Sequence, residues 1–188
     1  LDEAIQRAKE DLKDRLRNES RSENASFIDK VSTTVGIAAI KYADLSQNRV
    51  SNYQFSFDKM LSLQGNTAPY LQYSHARICR IFSLSPLSRA DVKNANIIIQ
   101  TEEEENLARC IVNFSEAVDN ASSTFHPHKL CTHIHSTSSA FASFYEACPI
   151  LKSDDHTILK SRLALCDLTA RTISTGLGLL GIQSPEEM

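Results

Sequence analysis

The chain has 188 residues, 41% of them apolar, enough to bury one good core or a core with a small appended lobe. Its formal net charge of −3 excludes a bulk positive field that would gather nucleic acid non-specifically, but not binding through stacking and base-edge contacts backed by a few local cations. Five glycines and five prolines are too few for a turn-rich β-sandwich and favour long helices.

Leu1, Ile5, Ala8, Leu12 and Leu16 recur at helical spacing and predict an amphipathic helix to about Arg17 with a charged outer face. The polar stretch Asn18 to Asn24 breaks it. Phe27, Ile28, Val31, Val35, Ile37, Ala38, Ala39 and Ile40 then predict a more buried helix ending near Leu45, with Gly36 marking a close helix contact. From Val50 to Asp58 polar residues alternate with Tyr53, Phe55 and Phe57, the period of a short extended segment crossing between two subdomains. The boundary is expected there, dividing residues 1–57 from 58–188.

From about Met60 onward the chain reads as helical. Gln64-Gly65-Asn66 is a turn cluster, Thr67 can cap the helix that follows, and Pro69 sits in its first turn where a missing N–H costs nothing. Tyr70, Tyr73 and Arg77, three and four residues apart, share one face of that helix. They form a stacking surface or, alternatively, half-buried core aromatics under a solvated arginine. Leu71, Ile78, Ile81 and Phe82 supply its packing positions, and Ser85-Pro86 ends it. Ser88 to Gln100 is ambiguous: Ile97-Ile98-Ile99 is long enough for a strand but fits a helix or its exit better.

Thr101 is expected to cap a single helix to about Ser123, with Glu102 to Glu105 complementing its dipole and the stripe Leu107, Cys110, Ile111, Phe114 and Val118 facing inward. Pro127 opens the next helix, whose broad face carries Leu130, Ile134, Ser138, Phe141, Phe144 and Tyr145, and Pro149 closes it. After a polar turn, Lys152 to Asp155, a last helix runs through Ile158, Leu163, Leu168, Ile173 and Leu177 to a C-cap at Gly181, with Pro185 beyond. The expected fold is all-α, an antiparallel helical bundle preceded by a further helical segment.

Cys79, Cys110, Cys131, Cys148 and Cys166 form no Cys-x-x-Cys pair and read as reduced core thiols of a cytosol-like compartment. No apolar run is long enough to cross a membrane, and the expected location is cytoplasmic. The run FHPHKLCTHIH, Phe125 to His135, offers His126, His128, Cys131 and His135 to a metal, but Cys131 lies between apolar positions and reads more simply as a core thiol. Cys79 and His75, four apart on a helix, mimic a nucleophile and base without the third group such a pair needs. No glycine-rich phosphate loop, HIGH-like sequence or KMSKS-like lysine loop occurs.

The run KYADLSQNRVSNYQFSFDKMLSLQGNTAPYLQYSHARICRIF, Lys41 to Phe82, resembles arginyl-tRNA synthetases where the catalytic core meets the anticodon-binding domain. LDEAIQRAKE at the start and LGLLGIQSPEEM at the end extend the resemblance over nearly the whole chain. It implies that residues 1–57 close the catalytic core and that 58–188 form a DALR-type anticodon-binding bundle. It further implies a surface for the anticodon loop of arginine tRNA at Ser62, Leu63, Gln64, Gly65, Asn66, Thr67, Tyr70, Tyr73, Arg77, Tyr145 and Met188, with Arg77 holding a phosphate or stacking. Two neighbours depart from the pattern, Pro149 where relatives can carry an aromatic and Glu187 where a basic residue is common. ATP and magnesium would belong to the core upstream, no catalytic or metal-binding residue is expected in this chain, and a monomer is expected. The alternative is a helical interaction module that docks to a protein and has lost RNA recognition.

Overall fold

The first two helices form a hairpin whose contact distance is set by a missing side chain. In the computed structural model, which describes residues 1–153 and 155–188, α1 (Asp2–Asn18) lies against α2 (Ala25–Leu45). A Cβ on Gly36 would stand 2.8 Å from the Ile5 backbone, closer than packed atoms approach, so glycine is what lets the two backbones meet. Ala8, Leu12 and Leu16 of α1 bury against Val31, Val35 and Ala39 of α2, and Met60 and Leu61 join that core. Each fully buried large aliphatic side chain contributes about 1.5–3 kcal/mol.

After α2 the chain runs without regular structure to Ser56, whose side chain caps the single turn α3 (Phe57–Met60). The alternation from Val50 to Asp58 therefore produces no strand, and no strand occurs among the described residues. Tyr53 and Phe55 stay largely exposed, so the alternation has no buried face to hold the segment as a strand.

The bundle comprises α4 (Ala68–Leu84), the short α5 (Arg89–Val92), α6 (Glu102–Val112), α7 (Phe114–Thr124), α8 (Pro127–Ala147) and α9 (His156–Leu179). Thr67 caps α4 as the sequence predicts, accepting from Tyr70 N, and Pro69 stands in its first turn. α9 is the bundle's central helix, with Leu163, Cys166 and Ala170 in one core cluster and Ile173 and Leu177 in a second. α8 borders both, placing Phe141 and Phe144 in the first and Leu130, Cys131 and Ile134 in the second.

Two expectations are corrected. The helix expected from Thr101 to about Ser123 is broken at Asn113 into α6 and α7. The break lets Leu107 of α6 enter the first cluster while Phe114 and Val118 of α7 rest on the second, which one straight stripe could not do. Ile97-Ile98-Ile99 is neither strand nor helix: Ile98 N donates to Ser161 Oγ at 2.9 Å, which in turn approaches the Ile98 carbonyl at 3.3 Å, so α9 satisfies this exit segment. The turn expected over Lys152 to Asp155 includes Asp154, which lies outside the described residues.

The acidic run at α6 does more than complement a dipole. Glu104 is 1% exposed, accepts from the Gln100 and Thr101 backbones at 2.6 and 3.1 Å, and pairs with Arg162 of α9 at 2.8 Å. Arg162 also donates to the Pro149 carbonyl at 3.0 Å, so this buried pair ties the start of α6, the end of α8 and the start of α9 together.

Candidate nucleic-acid interface

The loop between α3 and α4 is built by its own side chains. Thr67 Oγ1 donates to the Ser62 carbonyl at 2.6 Å, Ser62 Oγ accepts from Gln64 N at 3.1 Å, and Thr67 N donates to the Gly65 carbonyl at 3.0 Å. Gly65 has φ +76°, where a side chain is strained, yet a Cβ there would meet nothing within 4 Å. The glycine thus serves backbone conformation rather than crowding, and Gln64, Gly65 and Asn66 stand open to solvent while Leu63 is half-buried.

Two side chains from other helices flank the loop, and one of them bonds to it. Tyr42 of α2 is fully buried, and its hydroxyl lies 2.6 Å from Asn66 Oδ1 and 3.0 Å from the Cys131 carbonyl of α8. His135 of α8 packs 5.7 Å from the Tyr70 ring beside the loop, and burial pushes its pKa below the usual imidazole range. Tyr42 does not stand out in the sequence, and His135 stands out there only as a candidate metal ligand. The available signal was a phenol in the buried stripe of α2, since a buried tyrosine hydroxyl needs a partner.

The expected stripe on α4 divides by exposure. Tyr70 is half-buried against the second core cluster, whereas Tyr73 turns outward. Arg77 lies between two phenols, its Cζ 5.6 Å from the Tyr73 ring centroid and 4.5 Å from that of Tyr145, which α8 brings across. Tyr145 is also exposed, and Arg77 makes no hydrogen bond or ion pair among the described residues. Its guanidinium is thus held by aromatic faces with its donors unspent.

Met188 reaches the loop by a separate route. The turn after α9 closes as Gly181 N and Ile182 N donate back to Gly178 and Leu177 carbonyls, with Gly181 at φ +69°, as the C-cap reading predicts. The last residues then cross α4, where Gln72 Nε2 donates to the Gln183 carbonyl at 2.8 Å and His75 Nδ1 to that of Pro185 at 2.9 Å. Arg21 donates to the Met188 carbonyl at 3.2 Å. Met188 lines a cavity of about 360 Å³ with Leu12, Val31, Ser62, Leu63 and Pro69. Met188 therefore sits with the loop, and Tyr145 sits with Arg77.

The two competing chemistries find other uses for their residues. Both His75 nitrogens stand near Cys79 Sγ, Nδ1 at 3.9 Å and Nε2 at 4.0 Å, but Nδ1 is held by Pro185 and burial raises the Cys79 thiol, which opposes a nucleophile–base pair. Cys131 is fully buried and pushed up to about 12 by burial, as suits a core thiol. Among the described residues no three His, Cys, Asp or Glu side chains are placed to share a metal, and no helix is long and apolar enough to cross a membrane.

A family model described as the DALR anticodon binding domain matches residues 71–188, and one described as tRNA synthetases class I (R), catalytic domain, matches residues 1–57. The loop and the first turn of α4 fall between the two matches. Among curated proteins, an arginine–tRNA ligase from Prochlorococcus marinus is 52% identical over 188 residues, covering 100% of this chain and 30% of the relative. One from Crocosphaera subtropica is 47% identical over 189 residues, covering 100% of this chain and 32% of the relative. Among solved structures, the arginyl-tRNA synthetase of Plasmodium falciparum superposes with a TM-score of 0.86 at 34% identity, covering 100% of this chain and 32% of that one. The Thermus thermophilus enzyme superposes with a TM-score of 0.82 at 27% identity, again over 100% of this chain and 32% of that one. The chain thus spans about 30% of the length of the curated relatives it matches.

Proposed function

The chain belongs to the family of DALR anticodon-binding domains, and from that premise we propose that it is the C-terminal part of an arginine–tRNA ligase that grips the anticodon loop of arginine tRNA. The observation that carries this reading is the Tyr73–Arg77–Tyr145 stack on the helix that follows an open glycine loop. Every arginine codon has G in the middle, so the matching anticodons carry a central C. A splayed, single-stranded C offers a π-face to tyrosine, worth roughly 1–3 kcal/mol per stacked base, and a Watson–Crick edge to a loop such as Leu63 to Asn66. Arg77, with its donors unspent, holds a phosphate or extends the stack.

Residues 1–57 close the catalytic portion on this reading, and residues 58–188 form the anticodon-binding domain. The full ligase would join arginine to ATP and pass it to the 3′ end of the tRNA, working as a monomer in the cytoplasm. ATP and magnesium do not fit the residues present here: the chain has no glycine-rich phosphate loop, and its described carboxylates form no cluster for a cation. They belong to the part of the relatives that this chain does not span, so this chain by itself is inactive in aminoacylation. The matches give no support to the protein-docking alternative.

The test is a low-salt fluorescence titration of the chain with an arginine tRNA, beside the same tRNA carrying G at the central anticodon position. The native tRNA should bind better by about 1–3 kcal/mol, and Tyr73→Ala should remove most of the difference. Equal binding of both RNAs would sink the recognition role of Tyr70, Tyr73 and Arg77.

A further inference from the structure

Tyr42 stands on α2, apart from the loop and helices that carry the expected RNA contacts, yet its hydroxyl ends in the recognition loop. It lies 2.6 Å from Asn66 Oδ1 and 3.0 Å from the Cys131 carbonyl, and its side chain is 1% exposed. Close packing leaves that hydroxyl no other place to go, and an unpaired buried O–H is costly. One hydroxyl hydrogen serves one oxygen at a time. If it goes to Asn66 Oδ1, the amide turns Nδ2 outward as a donor. If it goes to Cys131, the amide gives Nδ2–H to the phenol and turns Oδ1 outward as an acceptor. Only the second arrangement makes both contacts at once, because the Cys131 carbonyl can only accept; the phenol then consumes the donor end of the amide and leaves Oδ1 for a base edge.

That matters because Asn66 is otherwise exposed. An untethered amide can rotate by half a turn and match a donor or an acceptor equally, so it adds affinity without discrimination. A tethered one presents a single polarity at a fixed place.

We propose that Tyr42 is a positioning residue for base discrimination, its hydroxyl fixing the polarity and location of the Asn66 amide at the tip of the loop. The inference rests on the RNA reading above. The Cys131 carbonyl of α8 fixes the other side of the same hydroxyl, so that α2 and α8 together hold the amide. Stacking by Tyr73 and Tyr145 then holds the base in place, and the held amide reads its edge.

Tyr42→Phe removes one oxygen and keeps the packed ring, and Asn66→Ala removes the amide. The chain, both variants and the double variant are titrated with an arginine anticodon stem-loop carrying C at the central position and with the same stem-loop carrying G. Tyr42→Phe should lower the preference for C by roughly three- to tenfold, the net worth of one hydrogen bond, with affinity for the G form within about twofold. Asn66→Ala should lower it at least as much, and Tyr42→Phe should change nothing further in that background. A merely structural tyrosine would weaken both RNAs alike and would still do so without Asn66; that result overturns the proposal. So does a smaller loss for Asn66→Ala than for Tyr42→Phe. A chain without any preference for C fails the RNA reading itself, whereas a chain that prefers C and keeps that preference in Tyr42→Phe fails this inference alone.

Discussion

Arg162, where α6, α8 and α9 meet, and Arg77, on the outer surface of α4 and α8, carry the same guanidinium into opposite surroundings. Arg162 is buried, and its donors meet the Glu104 carboxylate and the Pro149 carbonyl. Arg77 is half-exposed, and its guanidinium lies against Tyr73 and Tyr145 with no carboxylate on it among the described residues. The difference teaches how, on the proposed reading, this small bundle would separate stability from recognition. A buried charge has to be matched within the fold, while an arginine held only by ring faces keeps its hydrogen-bonding capacity for something outside.

The harshest test of that contrast is Arg162→Met. It leaves the Glu104 carboxylate buried without its partner and should cost about 3–5 kcal/mol in urea denaturation, with most of the loss recovered when Glu104→Gln is added. An unchanged midpoint would show that the two arginines are not opposites after all. Arg77→Ala should do the reverse, weakening anticodon stem-loop binding by about 1–3 kcal/mol while moving stability by no more than about 0.5 kcal/mol. A large drop in melting temperature would place Arg77 among the structural residues instead.

The stack itself is sharpened by a double-mutant cycle. Arg77→Ala and Tyr145→Ala, measured singly and together in RNA binding, should couple by about 0.5–1 kcal/mol, the scale of an exposed cation–π contact. Strict additivity would mean that the two side chains touch without cooperating. The gentlest probe is pH. Burial holds the folded-state pKa of His75 below its usual range, opposed by the bond to Pro185. The neutral form is thus favoured by folding, and the associated stability is present above the ordinary imidazole pKa of about 6.5 and lost as pH falls through the folded value. His75→Gln should flatten that part of the decline in urea midpoint between about pH 7.5 and 5.5. His128, His133 and His135 are also held below their usual range, so the readout is the difference between variant and parent.

Local features were legible without coordinates because their causes lie within a few residues. Thr67 and Thr101 cap their helices, Gly181 closes the last one in the left-handed region, and Gly36 marks the contact of α1 and α2. The face shared by Tyr70, Tyr73 and Arg77 also followed from spacing, although which of the phenols is half-buried did not. Tyr145 and Met188 were brought in by family resemblance, which says nothing of where they sit. Only the tertiary structure placed Tyr145 against Arg77, Met188 on one cavity with Ser62 and Leu63, and Tyr42 against Asn66. It alone broke the helix at Asn113 and drew Glu104 out of an apparently solvated acidic run to meet Arg162. The physical reason is range: caps and periodicity act over one or two turns of chain, whereas pairs such as Tyr42 with Cys131 or Glu104 with Arg162 join helices far apart in sequence, and their partners are decided by how the helices pack.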